Sequence, residues 1–284
     1  MDGSALGPRG GAIAISTPTT LIDRTARVEP GARIGEGVTL GPYCLIGAGV
    51  TIGRGTQLIA HVSILGDVTL GEANRLLPCV IGGEAQDVAS LGKAGAIVIG
   101  DGNVFREGVT VHLAGSKEDG VTRIGSHNAL SSGSHVAHDC RLGDHVTLGP
   151  GVLLGGHVRV GSHAEIAMGS VVVHNATVGE YCLVGMKSKV SQDAPPYTIV
   201  EGNPAAVRRI NTSALKRAGF ARKSIVALHE AHRLVFRARM SLARAAEVLE
   251  AAGAMTPEVA RLLAFLRDQQ AGRNGRSLDR RAPP

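Results

Sequence analysis

An apolar side chain returns at every sixth position through most of residues 22–190. One run passes from Ile22 through Val28, Ile34, Leu40, Ile46 and Ile52 to Leu76. A second holds Ile99, Phe105 and Val111, and a third goes from Ile124 through Val136, Leu148 and Val172 to Val190. Glycine often follows at once, as in Ile34-Gly35 and Leu142-Gly143. Neither an α-helix of period 3.6 nor a flat strand of period 2 makes this pattern. A six-residue repeat predicts a mainly β fold, a parallel β-helix with three hexads to a coil. Residues 18 apart in sequence then stack about 4.8 Å apart, as neighbouring parallel strands do.

Composition agrees with a solenoid. Aromatic residues are 2% of the chain and tryptophan is absent, so aliphatic side chains must fill the coil. Glycine, 39 of 284 residues, suits its corners. The four cysteines show no paired metal or redox spacing and read as buried, reduced thiols of a cytoplasmic protein. No apolar run approaches the roughly 18 residues of a membrane span. Residues 1–16 lack the basic start and apolar core of a secretory signal. The net charge of +6 gathers between Arg208 and Arg239, which points to an acidic or phosphate-bearing partner or to a solvated helix face. Without interleaved aromatic residues it does not suggest nucleic acid.

The hexad phase breaks between Leu76 and Ile99 and again between Val111 and Ile124, which predicts two loops leaving the coil. Residues 1–18 read as a mobile extension and 19–205 as the β-helix, ended by Pro195 and Pro196. Residues 206–270 read as a helical domain, with Ser224 and Ser241 as caps, Gly253 as a stop and Thr256-Pro257 as a further start. Residues 271–284 read as a basic disordered tail. Coils of this kind associate side by side, and a homotrimer is the expected closed form.

The stacking arithmetic also places chemistry. His138 and His174 fall in one column with Gly156 between them, and His157 follows Gly156. In Ser134-His135-Val136-Ala137-His138-Asp139-Cys140 two histidines share a turn, with a carboxylate beside the second. A histidine paired with a carboxylate suits a general base, and a glycine amide one coil away suits an oxyanion donor. Together they fit attack of a hydroxyl on a thioester without a serine or cysteine nucleophile. Ordinary surface histidines would give the same spacing. A zinc site of the γ-class carbonic anhydrase kind uses a five-residue ligand spacing, which His135 and His138 do not match, so no metal is expected.

The hexads, SHVAHDC (134–140), LLGGHV (153–158), VVVH (171–174), QDAPPY (192–197), GNPA (202–205) and Leu215-Lys216-Arg217-Ala218-Gly219-Phe220 resemble the UDP-N-acetylglucosamine O-acyltransferase family, colinearly over about residues 21–265. The resemblance implies a left-handed β-helix. It also implies transfer of a 3-hydroxyacyl group from acyl carrier protein to the glucosamine 3-position of a UDP-amino sugar, the first acylation of lipid A synthesis. No cofactor beyond the carrier's phosphopantetheine is implied. By the same match His138 is the base, Asp139 its orienting partner and Gly156 the oxyanion donor. Gln86, Asp87, His135, His157, His174, Asn211 and Arg217 match substrate-binding positions. Met186, with Met168 one coil earlier, matches the end of the acyl groove, where methionine favours a shorter chain.

Four positions depart from the family pattern: Ala89, Ala218, Asn175 and Ser213. Ala89 stands where the family carries a lysine, with Lys93 of the same loop as a candidate substitute. The departures leave open a 3-amino acceptor, or a relative that only binds nucleotide sugar or carrier protein. The later N-acyltransferase of the pathway carries a sizeable domain before its repeat, where only the short extension 1–18 stands here.

Overall fold

The computed structural model describes residues 19–87, 95–115 and 119–279. Most strands are only two residues long, and they stack in three parallel sheets that form the sides of a prism. Sheet A contains the strands at 129–130, 147–148, 165–166 and 183–184; sheet B those at 135–136, 153–154, 171–172 and 189–190; sheet C those at 141–142, 159–160 and 177–178. From residue 123 to 190 each strand pairs with the strand one coil further on, as in Thr147↔Glu165 and Leu153↔Val171. Each short strand sends one aliphatic residue inward. Leu130, Val136, Leu148, Leu154, Ile166 and Val172 are fully buried in one continuous core.

Side chains at the corners replace the expected glycines more often than composition suggested. Asp139, His157 and Asn175 share one corner at φ near +60°, and His127, His145, His163 and Tyr181 share another. The turn demands the left-handed region, which asparagine, aspartate and histidine tolerate better than branched residues.

Several boundaries differ from the sequence expectation. Ile81 remains in the coil, pairing with Ile64 and Val111, so the first insertion starts beyond Gly83 and not after Leu76. One corner there is a residue shorter, which broke the phase. Pro195 and Pro196 do not end the sheet either. Thr198–Gly202 pairs parallel with Leu183–Val184, then turns back antiparallel onto Ala205–Ile210. The helices therefore begin only at α1, Thr212–Arg217, followed by α2 Arg222–His232, α3 Leu242–Ala251 and α4 Pro257–Ala271. Ser241 and Thr256 cap α3 and α4 as expected, accepting from the N–H groups of Arg244 and Val259. Ser224 is no cap: α2 starts two residues earlier, after Ala221.

The helices close over a second core of Leu215, Leu228, Leu249, Leu262 and Leu266. Residues 271–279 are ordered, contrary to the tail expectation. Arg276 is buried and Ser277 N–H donates to the Asp193 carboxylate at 2.7 Å. Residues 1–18, Ala89 and Lys93 lie outside the described residues.

Candidate active site

The turn that joins sheet B to sheet C repeats at residues 137–140, 155–158, 173–176 and 191–194. This B–C corner carries most of the anticipated chemistry. His138 Nδ1 lies 2.8 Å from Asp139 Oδ2, and the Asp139 side chain is only 2% exposed. The same oxygen accepts the Gly115 N–H at 2.9 Å, while Asp139 N–H donates to Thr122 Oγ1. Asp139 is thus pinned by residues on both sides of the second insertion, through its carboxylate on one side and its backbone N–H on the other. An ionised carboxylate can only accept, so in this pair Nδ1 of His138 is the donor, and in the neutral imidazole Nε2 then has the lone pair.

Gly156 lies directly against that ring. A Cβ built there would meet His138 Cε1 at 2.5 Å and Nε2 at 2.6 Å. The backbone N–H of Gly156 has no hydrogen-bond acceptor among the described residues, because the ladder at this corner runs through His157 N–H to His138 O and Asn175 N–H to Gly156 O. An uncommitted amide beside an imidazole is the arrangement that an oxyanion donor and a base require.

His157 stands edge-on to His138, ring centres 5.3 Å apart, with Nε2 3.8 Å from Asp139 Oδ2. Gln86, Asp87, His138, Gly156, His157, His174 and Asn175 line one cleft of about 420 Å³. Six of the anticipated residues therefore converge there. His135 lies beside them on sheet B, its Nδ1 2.8 Å from Thr110 Oγ1. Burial, and then the neighbouring His112 and His138, hold its pKa below the ordinary value of 6.5.

His112 was not anticipated. Its ring is 5.0 Å from that of His135, and its Nδ1 is 2.7 Å from the Glu84 carbonyl. The second insertion lengthens this coil, so Thr110 pairs with His135 where a regular coil would pair it with Asn128. The column is thereby hidden from a count made at the regular spacing.

The remaining candidates lie elsewhere on the prism. Met168 and Met186 occupy the A–B corner, 49% and 68% exposed. Outward-facing Leu153 and Val171 of sheet B, 45% and 37% exposed, lie between that corner and His138. Arg217, at the end of α1, lines a cleft of about 340 Å³ at the C–A corner with His145, His163, Tyr181, Glu165 and Ala218. There the rings of His127, His145, His163 and Tyr181 stack at spacings of 5.1, 4.8 and 4.6 Å. That column keeps the regular coil spacing and was legible in the sequence, though not read from it. Asn211 is committed to structure: its side chain caps α1 at Ala214 N–H and donates to Tyr181 O at 2.9 Å.

His138, Asp139 and His157 offer ligand atoms within 4.8 Å of one another, a possible metal group.

A β-helix of hexads with a histidine–carboxylate pair facing a glycine amide defines the hexapeptide-repeat acyltransferase class. Models of the bacterial transferase hexapeptide match residues 19–54 and 122–156, and the second domain of UDP N-acetylglucosamine O-acyltransferase matches 193–275. An acyl-[acyl-carrier-protein]–UDP-N-acetylglucosamine O-acyltransferase of Thermodesulfovibrio yellowstonii is 39% identical over 252 residues, 88% of this chain and 98% of that one. The UDP-N-acetylglucosamine acyltransferase of Bacteroides fragilis superposes with a TM-score of 0.83 at 30% identity, covering 87% of this chain and 97% of its own. The protein of the same fold from Acinetobacter baumannii gives 0.82 at 33%, covering 86% and 95%. The chain belongs to the UDP-N-acetylglucosamine O-acyltransferase family.

Proposed function

We propose that this chain transfers a 3-hydroxyacyl group from acyl carrier protein to the glucosamine 3-hydroxyl of UDP-N-acetylglucosamine, the first acylation of lipid A synthesis, in the cytoplasm. The observation that carries the mechanism is the His138–Asp139 pair set against the Gly156 amide, which has no acceptor among the described residues. His138 Nε2 takes the proton as the sugar oxygen attacks the thioester carbonyl. The Gly156 N–H holds the tetrahedral oxygen. The C–S bond then breaks, and the proton passes from His138 to the departing phosphopantetheine thiolate, leaving an ester and a free thiol. Asp139 keeps the imidazole in the required tautomer and stabilises its cation.

Direct transfer needs no enzyme nucleophile, and the cysteines are poor candidates for one. Burial pushes the thiols of Cys140 and Cys182 up to about 12, and Cys140 Sγ donates to the Gly155 carbonyl. In this reading Gln86, Asp87, His135, His157 and His174 hold the sugar. The acyl chain crosses the apolar outer face of sheet B, over Leu153 and Val171, toward Met168 and Met186. The basic start of α2, Arg222 and Lys223 beside exposed Val226, meets the acidic carrier.

Arg217 is the reason to propose an oligomer. It stands at the C–A corner, whereas His138 stands at B–C, so one chain cannot bring its guanidinium to a nucleotide bound beside its own His138. A neighbouring copy can. Head-to-tail contacts of this kind close into a ring, and we assign a homotrimer in which Arg217 and the stacked imidazoles of one subunit face the diphosphate and base held by the next.

The test is incubation with UDP-N-acetylglucosamine, and separately its 3-amino analogue, plus a ladder of 3-hydroxyacyl carrier proteins, with products read by mass. An ester from the first sugar is expected. An amide from the analogue alone would move the acceptor to a 3-amino sugar. No product from folded protein would leave a binding relative.

A further inference from the structure

The B–C corner holds a second chemistry in three of its residues. His138 and Asp139 sit on one coil and His157 on the next, and each offers a donor atom within 4.8 Å of the others. Among the described residues this is the only group of three His, Cys, Asp or Glu side chains placed so closely. Asp139 Oδ2 lies 2.8 Å from His138 Nδ1 and 3.8 Å from His157 Nε2. The side chains of His138, Asp139 and His157 are 12%, 2% and 14% exposed, so the donors share a recess and not a solvated surface.

One donor atom is left over. Asp139 Oδ2 accepts from His138 and from the Gly115 N–H, but Oδ1 is buried with no hydrogen-bond partner among the described residues. A buried carboxylate oxygen without a donor is costly, and a cation satisfies it. Two imidazoles and one carboxylate are a donor set of a tetrahedral zinc-type ion. His138 and His157 also line the cleft, which leaves the fourth position to water or substrate. Bonds of about 2.0–2.2 Å set tetrahedral donors about 3.3 Å apart. That lies between the 2.8 and 3.8 Å seen here, so closing on an ion shifts the rings by only about half an ångström. Imidazole nitrogen selects zinc, cobalt, nickel or copper over magnesium and calcium, which prefer oxygen alone. The spacing of His135 and His138, which argues against zinc, does not enter here: the third donor comes from the next coil.

We propose that His138, Asp139 and His157 bind one divalent transition-metal ion of the zinc class, and that the bound ion switches acyl transfer off. A metal on His138 Nε2 takes the lone pair of the base. A metal on Nδ1 moves the proton to Nε2, which then has no lone pair to offer. Either way the imidazole cannot accept the sugar proton. The binding site stands on the geometry alone, and the inhibition rests on the mechanism proposed above.

The experiment titrates the full chain with Co2+ and follows its visible absorption. A tetrahedral spectrum should saturate at one ion per chain, be displaced by Zn2+ and be unaffected by excess Mg2+. Asp139→Asn and His157→Asn are the variants, because asparagine tolerates the left-handed backbone at both positions, φ 59° and 61°. Their melting temperatures without metal show that they fold. Each should weaken Co2+ binding by at least about tenfold, since losing even an indirect support of a ligand costs that much. Saturating Zn2+ should lower wild-type turnover about 100-fold, and a chelator should restore it. Free Zn2+ is fixed by a metal buffer, because the diphosphate and the product thiol also bind zinc.

Co2+ binding that both folded variants retain places the metal on other side chains and overturns the site. Displacement by Mg2+ overturns its class. Metal bound at one ion per chain with turnover intact overturns the switch. Wild-type protein that binds Co2+ as expected but acylates no UDP-sugar would instead remove the functional reading and uphold the site.

Discussion

Gly156 meets two demands of the proposed mechanism at one position. Its amide has no acceptor among the described residues, and its missing side chain leaves room for the His138 ring. Gly156→Ala should lower kcat roughly 100-fold by displacing the base, with little change in melting temperature; retained turnover would remove His138 from that role. His135 makes a separate prediction. Its folded pKa lies below 6.5, chiefly through burial, so the unfolded chain binds a proton that the folded chain refuses. The stability it contributes is complete above about pH 6.5 and is lost as pH falls through the folded value. Melting temperature should therefore drop on going from about pH 7 to about pH 5, and drop less in His135→Asn. Equal losses in both proteins would refute the assignment. These columns were readable because a strict coil period turns spacing into distance. His112 escaped because the second insertion lengthens the stretch between Thr110 and its partner His135; the break in phase between Val111 and Ile124 marks that insertion, but the stacking count was made only at the regular 18-residue spacing.

At the level of elements, the hexads needed only one inward side chain per strand to fix the coil. Leu148 is fully buried between Leu130 and Ile166, so Leu148→Ala should destabilise the fold by about 2–5 kcal/mol through lost burial and a cavity. A loss under about 1 kcal/mol in denaturant titration would mean that the coil collapses around the gap. The ends of the coil were harder to read than its middle. Two prolines looked like a stop, yet Thr198–Gly202 still adds to sheet A because the chain re-enters after Tyr197. Residues 271–279 looked disordered because their composition is polar and basic. Their order comes from the buried Asp193 carboxylate, far off in the sequence, which no local pattern reveals. On the A–B corner, Met186→Gly should raise the preference for longer over shorter hydroxyacyl donors by about tenfold. An unchanged ratio would take Met186 out of chain-length selection.

For the whole molecule, the prism separates groups that the proposed reaction needs together. His138 and the Gly156 amide stand at one corner, the basic end of α1 at another and the exposed methionines at the third. Motif matching named all three groups but could not say that they face different ways, because that follows from which turn of the coil each occupies. The central claim is that His138 of one subunit works with Arg217 of the next, and mixed trimers test it most directly. His138→Ala and Arg217→Ala proteins should each be nearly inactive. Co-refolded in equal amounts, they should recover about a quarter of wild-type activity, the share of interfaces in a closed ring that hold both intact residues. A mixture no more active than its parents would contradict the shared site.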